Sequence, residues 1–298
     1  MQYPFTTVDV FTRQRFGGNP LAVVLDADTL SDTEMQAIAR EFNYSETTFV
    51  MRPEDDHNTA NVRIFTPACE VPFAGHPNVG TAHVLASRAG AKARPECFVF
   101  EEKAGLVPVS IAWEGDAVET VELTAPVTLS TGSPFDAEAV AASLSLETAA
   151  IRVDRHPPLI ASVGLPFLVV EIAGRAALAA ARVDIGAISK LLPAEGADAI
   201  YLYCRELWED DGDVDFTARM FAPWDGVAED PATGSATGAA CSLIADLTPE
   251  PHSPRRFRVA QGVDMKRPSR LDVRTGEPDG LVRIGGSCVP VMSGFIEV

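Results

Sequence analysis

The sequence predicts an α+β protein built from two pseudo-symmetric halves. A proline-centred motif occurs twice, as Gly75–Ala82 (Gly-His-Pro-Asn-Val-Gly-Thr-Ala) and as Asp230–Ala236 (Asp-Pro-Ala-Thr-Gly-Ser-Ala). When Pro77 is aligned with Pro231, both copies carry a small segment of the form Gly-[Thr/Ser]-Ala. Each half also combines many short strand-like segments with one helix of small residues. Since a repeated motif is the signature of repeated structure, these observations together favour two similar domains.

Both copies of the motif are predicted to start a helix. Asp230 is suited to the N-cap and Pro231 to the first helical position. His76 occupies the matching place in the first copy, where it is either an N-cap or an active-site acid/base. The free N–H groups and the positive dipole end of each helix offer a site for a carboxylate or phosphate. The alternative is two buried, capped helices whose small residues serve packing alone.

Composition narrows the classes of function. The chain has 298 residues, enough for two domains with separate cores. Its net charge of −18 argues against a nucleic-acid partner, which needs a basic face. No apolar run approaches the ~20 residues of a membrane span, and no signal pattern precedes the first strand-like segment. We therefore expect a cytoplasmic protein with no membrane partner.

Cofactor and metal motifs are absent from the sequence. The five cysteines are scattered, without CxxC or Cys/His ligand spacing, which favours reduced thiols and argues against structural zinc. The sequence also lacks a dinucleotide-binding glycine fingerprint, a P-loop, an HExxH pair and a Gly-x-Ser-x-Gly elbow. Acids, histidine, serine and asparagine remain near the helix starts. Such a set suits proton transfer on a small acidic molecule, with no cofactor and no metal.

The first half begins with two predicted strands, Tyr3–Phe11 and Leu21–Leu25, joined by a Gly-Gly loop. The segment Ser31–Glu34 has the capping-box form and predicts a helix with apolar residues at helical spacing. Strands are predicted again at Thr47–Met51 and Asn61–Thr66.

Two polar residues at the junctions of these elements are candidates for a site. Asn19 stands in the loop before the second strand and is either turn chemistry or a ligand-binding amide. Glu46 stands where the helix gives way to an apolar strand. A carboxylate beside apolar walls has a raised pKa, as a general acid/base near neutral pH requires. The alternative for Glu46 is an exposed loop residue.

The second half follows a Pro/Thr/Ser/Gly-rich passage, Ala125–Pro134, which we take as a linker. Helices are predicted at Ala137–Leu146 and over most of residues 176–192, followed by alternating strands and glycine turns. The acidic segment Glu209–Asp213 is interpreted as the solvated tip of a hairpin, since a calcium loop needs a longer series of ligands.

Several segments together resemble the phenazine-biosynthesis PhzF-like isomerase family. They span nearly the whole chain in order and include Phe16–Val23, Ser45–Thr47, Arg63–Pro67, Phe73–Ala82, Glu229–Ala236, Gln261–Gly262 and Arg267–Ser269. The resemblance implies a diaminopimelate-epimerase-like fold, in which each domain is a mostly antiparallel barrel around a central helix and the active site lies between the domains. It also implies a homodimer. The expected domains are residues 1–127 and 128–287, with a strand at about 288–298 returning to the first.

The resemblance also implies roles for individual residues. Glu46 takes the position of the catalytic acid/base, which removes a proton and returns it elsewhere. His76 and Asp230 would steer the substrate hydroxyl and amine, while Ser235 and the helix starts would hold its carboxylate. The remaining substrate-contacting positions fall on Asn19, Ser45, Gly75 and Gly234. Asn78 departs from the family, which more often has threonine there.

The leading hypothesis is therefore a cofactor-free isomerase of a small amino- or hydroxy-carboxylic acid, similar to an enzyme that isomerises a dihydro-hydroxyanthranilate. Two alternatives share the site. One is a small-acid binding protein without turnover. The other is a racemase or epimerase that uses carboxylate and histidine, because neither helix start carries the cysteine of related two-thiol racemases.

Overall fold

The chain forms two compact units in a computed structural model that describes residues 1–225, 227–250 and 252–298. Unit 1 comprises residues Met1–Thr124 together with Gly285–Val298, and unit 2 comprises Ala125–Ile284. Unit 1 is therefore discontinuous in sequence, whereas unit 2 is one continuous stretch.

Unit 1 is rich in strands and has two helices. In chain order its elements before the last strand are β1 (Gln2–Val10), β2 (Asn19–Val24), α1 (Asp32–Phe42), β3 (Glu46–Met51), β4 (Ala60–Phe65), β5 (Glu70–Val71), α2 (Gly75–Ala93), β6 (Cys97–Glu102), β7 (Gly105–Glu114) and β8 (Ala117–Thr124). The C-terminal strand, Cys288–Glu297, completes the unit.

The strands of unit 1 pair mostly antiparallel. The C-terminal strand lies beside β1, followed across the sheet by β2, β3, β4, β6, β7 and β8, with parallel pairing only at β2–β3 and β4–β6 among these neighbours. Helix α2 contacts β1, β2, β7 and β8. A Cβ at Gly80 would lie 2.5 Å from Leu21 and 2.8 Å from Val10. The glycine in the first motif is thus required by the close approach of the helix to β1 and β2.

Helix α1 confirms the predicted capping box. The Ser31 hydroxyl accepts a hydrogen bond from the Glu34 N–H, and the Glu34 carboxylate accepts one from the Ser31 N–H at 2.8 Å. Together these bonds satisfy donors that a helix start otherwise leaves unpaired. Met35, Ile38 and Ala39 then face a core cluster that includes aromatic residues of β3 and β4.

Unit 2 has the same mixture of short strands and helices. In chain order its elements are β9 (Ser130–Pro134), α3 (Ala137–Ser143), β10 (Leu159–Ser162), β11 (Pro166–Glu171), α4 (Arg175–Ala180), α5 (Ile185–Ile188), β12 (Ile200–Cys204), β13 (Phe216–Ala222), β14 (Val227–Asp230), α6 (Gly234–Asp246), β15 (Arg255–Gln261) and β16 (Ser269–Thr275). A further strand, β17 (Arg283–Gly286), crosses the boundary between the units.

The unit 2 strands follow one another as β9, β10, β11, β12, β13, β15 and β16, and β14 pairs with β13. Parallel pairing occurs at β11–β12 and β13–β15. Helix α6 contacts β10, β11, β15 and β16. A Cβ at Gly238 would lie 2.9 Å from Ile284, so α6, like α2, owes its close packing to a glycine.

Three local predictions for the second half need correction. The passage taken as a linker contains β9, which pairs with β10. The alanine-rich stretch forms two short helices, α4 and α5, with a break at residues 181–184. The acidic tip is not wholly solvated, because Asp211 is buried and accepts from Nε of the buried Arg175 at 3.0 Å. Charge pairing within the fold, which local sequence does not reveal, overrides the surface expectation.

Candidate functional site

Three predicted site residues of unit 1 are brought together by its sheet. Asn19 is the first residue of β2 and Glu46 the first of β3. These two strands pair in parallel, with Leu21 opposite Glu46, so both strands begin at the same edge of the sheet. His76 lies in the first turn of α2. Ser45 and Gly75 are placed there by their chain neighbours.

The contacts of His76 define this part of the site. Its Nδ1 lies 3.4 Å from Oε2 of Glu46 and 3.4 Å from Nδ2 of Asn19. His76 is 5% exposed and Asn19 is fully buried, whereas the Glu46 side chain is 18% exposed. Glu46 is therefore the most exposed side chain of this trio, although its Oε2 atom, which faces His76, is buried.

The imidazole of His76 is neutral near pH 7. Burial lowers its pKa from 6.5 to about 3, because the charged form loses hydration, and a hydrogen bond to the backbone of Pro20 opposes this only in part. A neutral imidazole has one donor and one acceptor nitrogen. Within the described residues, Nε2 has no hydrogen-bond partner. The Glu46–His76 contact is thus one between a carboxyl group and a neutral ring.

His76 does not cap α2. The N-cap residue is Ala74, which makes no side-chain cap bond, so the capping alternative for the histidine is wrong. The Asn78 amide instead donates to the Ala74 carbonyl at 3.1 Å. The first N–H groups of an α-helix have no intrahelical partner. The start of α2 therefore combines backbone donors with a buried, neutral histidine.

In unit 2 the second motif places Asp230 at the end of β14, opposite Met220 of β13. Helix α6 begins at Gly234, with Ser235 next, and its N-cap residue is Thr233. The predicted N-cap role of Asp230 and the helical position of Pro231 are therefore wrong. The carboxylate of Asp230 accepts from the Thr233 hydroxyl at 2.5 Å, which ties the strand end to the helix start.

Side chains from distant positions hold the turn between Asp230 and Thr233. The Gln261 amide, fully buried at the end of β15, donates to the Asp230 carbonyl at 2.8 Å. Ser269 donates to the Pro231 carbonyl, also at 2.8 Å. One residue before the turn, Glu229 accepts two bonds from Arg219, at 2.7 and 2.8 Å. The turn is thus fixed from several sides.

The described residues form no metal-ligand cluster, and the cysteines form no disulfide. Within residues 1–225, 227–250 and 252–298, no group of three or more His, Cys, Asp or Glu side chains is placed to hold a metal ion. All five cysteines are free. The helices of the same ranges include none long and apolar enough to cross a bilayer.

The family model described as phenazine biosynthesis-like protein matches residues 8–294. The chain belongs to this family. It is 34% identical, over 287 residues and 95% of both chains, to trans-2,3-dihydro-3-hydroxyanthranilate isomerase of Pseudomonas aeruginosa. It is 38% identical, over 300 residues and 97% of both chains, to an uncharacterized isomerase of Mesorhizobium japonicum. The predicted family and enzyme class, a PhzF-family isomerase, are confirmed.

Solved structures show the same fold. A PhzF-family phenazine biosynthesis protein of Bacillus anthracis superposes with a TM-score of 0.86 over 100% of both chains, at 25% identity. A hydroxyproline epimerase of Agrobacterium vitis, with bound trans-4-hydroxy-L-proline, gives a TM-score of 0.62 at 12% identity, over 99% of this chain and 91% of its own. The strand-rich α+β fold predicted from the sequence is therefore confirmed.

Sequence reasoning gave no role to two residues of the second helix start. Thr233 lies inside the motif, but its hydroxyl was not distinguished from the surrounding small residues. Gln261 belongs to a segment that carried the family resemblance, yet its contact with Asp230 spans 31 positions. A buried amide directly before a glycine was the available signal, and only the fold shows what it binds.

Proposed function

We propose that this PhzF-family protein is a cofactor-independent isomerase that moves a proton between carbons of a small amino- or hydroxy-carboxylic acid. The observation that carries the proposal is the contact between Glu46 and the neutral His76 at the start of α2. A carboxylate with access to solvent, next to a ring that bears no charge, is suited to accept and return a proton.

The proposed reaction uses Glu46 as a proton shuttle. Its carboxylate removes a proton from a ring carbon, the carbon–hydrogen electron pair forms a new double bond, and the existing double bond shifts. The protonated Glu46 then delivers the proton to the carbon at the far end of the shifted system. Atoms and electrons balance within the substrate and one carboxyl group, so no cofactor or metal takes part.

We propose that residues of unit 2 also bind the substrate. The N–H groups at the start of α6, with Gly234 and Ser235, suit a substrate carboxylate. Asp230 suits a substrate hydroxyl or amine. In this proposal units 1 and 2 are the two domains of the family, each a barrel around its helix, and the protein is a homodimer. The fold shared with family structures and the polar helix start in each unit support the assignment of two domains.

The name of one relative supports the choice of a substrate class. Trans-2,3-dihydro-3-hydroxyanthranilate, the substrate in the name of the Pseudomonas aeruginosa relative, carries the carboxylate, amine and hydroxyl that the site chemistry would bind. We therefore propose it as the first compound to test.

Proton NMR in D2O with this compound tests the proposal. Wild type is expected to convert it with deuterium uptake at carbon, and Glu46→Gln to lose about a thousandfold or more in rate, since the shuttle is removed. Glu41→Gln, which alters an exposed glutamate of α1, is the matched control and is expected to retain the wild-type rate. Tight binding without exchange would favour the binding-protein alternative. Inversion at one carbon without a double-bond shift would favour the racemase.

A further inference from the structure

Two side chains around Asp230 form a chain of hydrogen bonds whose direction is fixed. The Gln261 side chain ends in an NH2 donor and a carbonyl acceptor. Its Nε2 donates to the Thr233 hydroxyl at 3.1 Å, and its Oε1 accepts from the Thr233 N–H at 3.2 Å. The Thr233 hydroxyl thus receives a hydrogen bond from the amide, and its own single proton is directed to Asp230 Oδ2 at 2.5 Å.

The Thr233 hydroxyl does not cap the helix that begins directly after Thr233. Thr233 is the N-cap residue of α6, a position where a hydroxyl commonly accepts from the helix N–H groups. Here it makes no cap bond. The hydroxyl donates to the Asp230 carboxylate instead, so the helix start lacks a stabilising contact that is common at this position.

The backbone around these hydrogen bonds is closely packed and has little room to move. Gly262, directly after Gln261, has φ +74°, and a Cβ there would lie 2.7 Å from the Pro231 carbonyl oxygen. On the same turn, Ser269 donates to that carbonyl. A residue held by its backbone and by packed neighbours keeps its rotamer, which is what a catalytic group needs.

Charged groups on the elements packed nearby are engaged with one another. Arg219 of β13 binds Glu229 through two hydrogen bonds. Asp264, in the loop after β15, accepts two bonds from Arg175, both at 3.1 Å. The same loop also carries Arg267. The contact from Thr233 supplies Asp230 with an oriented donor that carries no charge.

We propose that Thr233 and Gln261 are positioning residues that fix the rotamer of the Asp230 carboxylate for its contact with the substrate. The proposal rests on the function proposed above, in which Asp230 binds substrate. The first motif offers a natural contrast, because Val79 occupies the place of Thr233 when the two prolines are aligned.

Activity of Thr233 variants provides the first test. With trans-2,3-dihydro-3-hydroxyanthranilate as the probe, Thr233→Val is expected to lower kcat about 10- to 100-fold, because a misplaced group reacts poorly. KM and the melting temperature change little. Thr233→Ser, which keeps the hydroxyl, is expected to restore kcat to within about threefold. Thr217→Val is the control, since the Thr217 hydroxyl is buried and makes no hydrogen bond in the part of the chain described.

A second measurement needs no substrate. In protein labelled with carbon-13 at aspartate carboxyl groups, the NMR titration midpoint of Asp230 is expected to rise by about one pH unit in Thr233→Val, because the lost donor favoured the charged form. Thr233→Ser and Thr217→Val keep the wild-type midpoint. Gln261→Glu, which replaces the donor by a second acceptor, is expected to raise it as well.

The outcomes separate this inference from the proposed function. An unchanged midpoint in Thr233→Val overturns the positioning role, whatever the activity. A fall in kcat that Thr233→Ser does not reverse also overturns it, because packing rather than the hydroxyl would then be responsible. If the midpoint moves as expected but wild type exchanges no carbon-bound proton, the proposed function fails and the positioning of Asp230 stands.

Discussion

The two helix starts share a sequence motif but differ in local structure. Helix α2 begins at Gly75, one residue before His76, so that the histidine and Pro77 lie within its first turn. Helix α6 begins at Gly234, four residues after Asp230, so that the aspartate ends a strand instead. Proline is tolerated in a first turn because its missing N–H would have no partner there. Matching prolines therefore do not imply matching helix starts.

The difference extends to hydrogen bonding. His76 is buried and neutral, and Nε2 makes no hydrogen bond within the described residues. Asp230 instead lies in a network with Thr233 and Gln261. A neutral ring with an open nitrogen can adapt to a ligand, whereas a carboxylate held by a fixed donor is preorganised. We therefore call the start of α2 the adaptable start and the start of α6 the rigid start.

The largest effect is expected when the rigid start loses its charge. Asp230→Asn keeps the shape of the side chain but removes the charge, and the exchange rate is expected to fall about a thousandfold. The control is Asp246→Asn, at the exposed end of α6, with proton NMR in D2O as the assay. A rate above one third of wild type would show that a neutral acceptor suffices at this start.

The next largest difference is expected between two glycines, Gly262 of unit 2 and Gly90 of unit 1. Gly262→Ala places a methyl group 2.5 Å from the Arg267 carbonyl oxygen at φ +74°, and we expect it to lower the free energy of unfolding by about 3 kcal/mol. Gly90→Ala has a similar φ of +77° with nothing within 4 Å, and about 1 kcal/mol is expected. Urea unfolding measures both. Equal losses would mean that the dihedral angle alone, and not the close approach, requires Gly262.

Acid is expected to destabilise the protein through His76. The pKa of His76 is 6.5 in the unfolded chain, whereas burial lowers it to about 3 in the folded protein. Unfolding therefore takes up a proton between these values, and stability is lost as the pH falls through this window. At pH 5 the loss from His76 is about 2 kcal/mol. Relative to wild type, His76→Gln should gain that amount between pH 7 and pH 5 in urea unfolding. A constant difference would contradict the low pKa.

The smallest effect is expected at Asn78. Asn78→Val removes the donor to the Ala74 carbonyl and is expected to cost about 1 kcal/mol in urea unfolding. Asn78→Thr should cost less than half of that, because a threonine hydroxyl can bond the carbonyl four residues earlier. If threonine and valine were equally destabilising, the bond to Ala74 would have no part in holding the adaptable start.

Local patterns in the sequence were sufficient for much of the fold. The capping box at Ser31–Glu34 and the alternating strand Asn61–Thr66 depend on neighbours within a few residues, and both are present in the structure. The failures involve partners far away in sequence. The passage Ala125–Pro134 has the composition of a linker, but β10 pairs with part of it. Pairing between distant segments overrides local propensity.

The candidate site likewise contains residues that local sequence predicts and residues that only the fold reveals. Glu46, His76 and Asn19 were chosen from motifs and junctions, and the structure brings these three together in unit 1. Their roles in catalysis stay predictions. Gln261 was given no role, because its bond to Asp230 depends on the parallel pairing of β13 with β15, which no local pattern reveals.

The pairing of β1 with the C-terminal strand has a consequence for synthesis. These strands are hydrogen-bonded from Gln2–Glu297 to Val10–Cys288, so β1 leaves the ribosome well before its partner strand, which is made almost 300 residues later. Unit 2 is continuous, and all of it emerges before that partner. During this interval one edge of β1 is unpaired and open to wrong partners. A nascent chain of this protein therefore has its completed second unit available before its first can close.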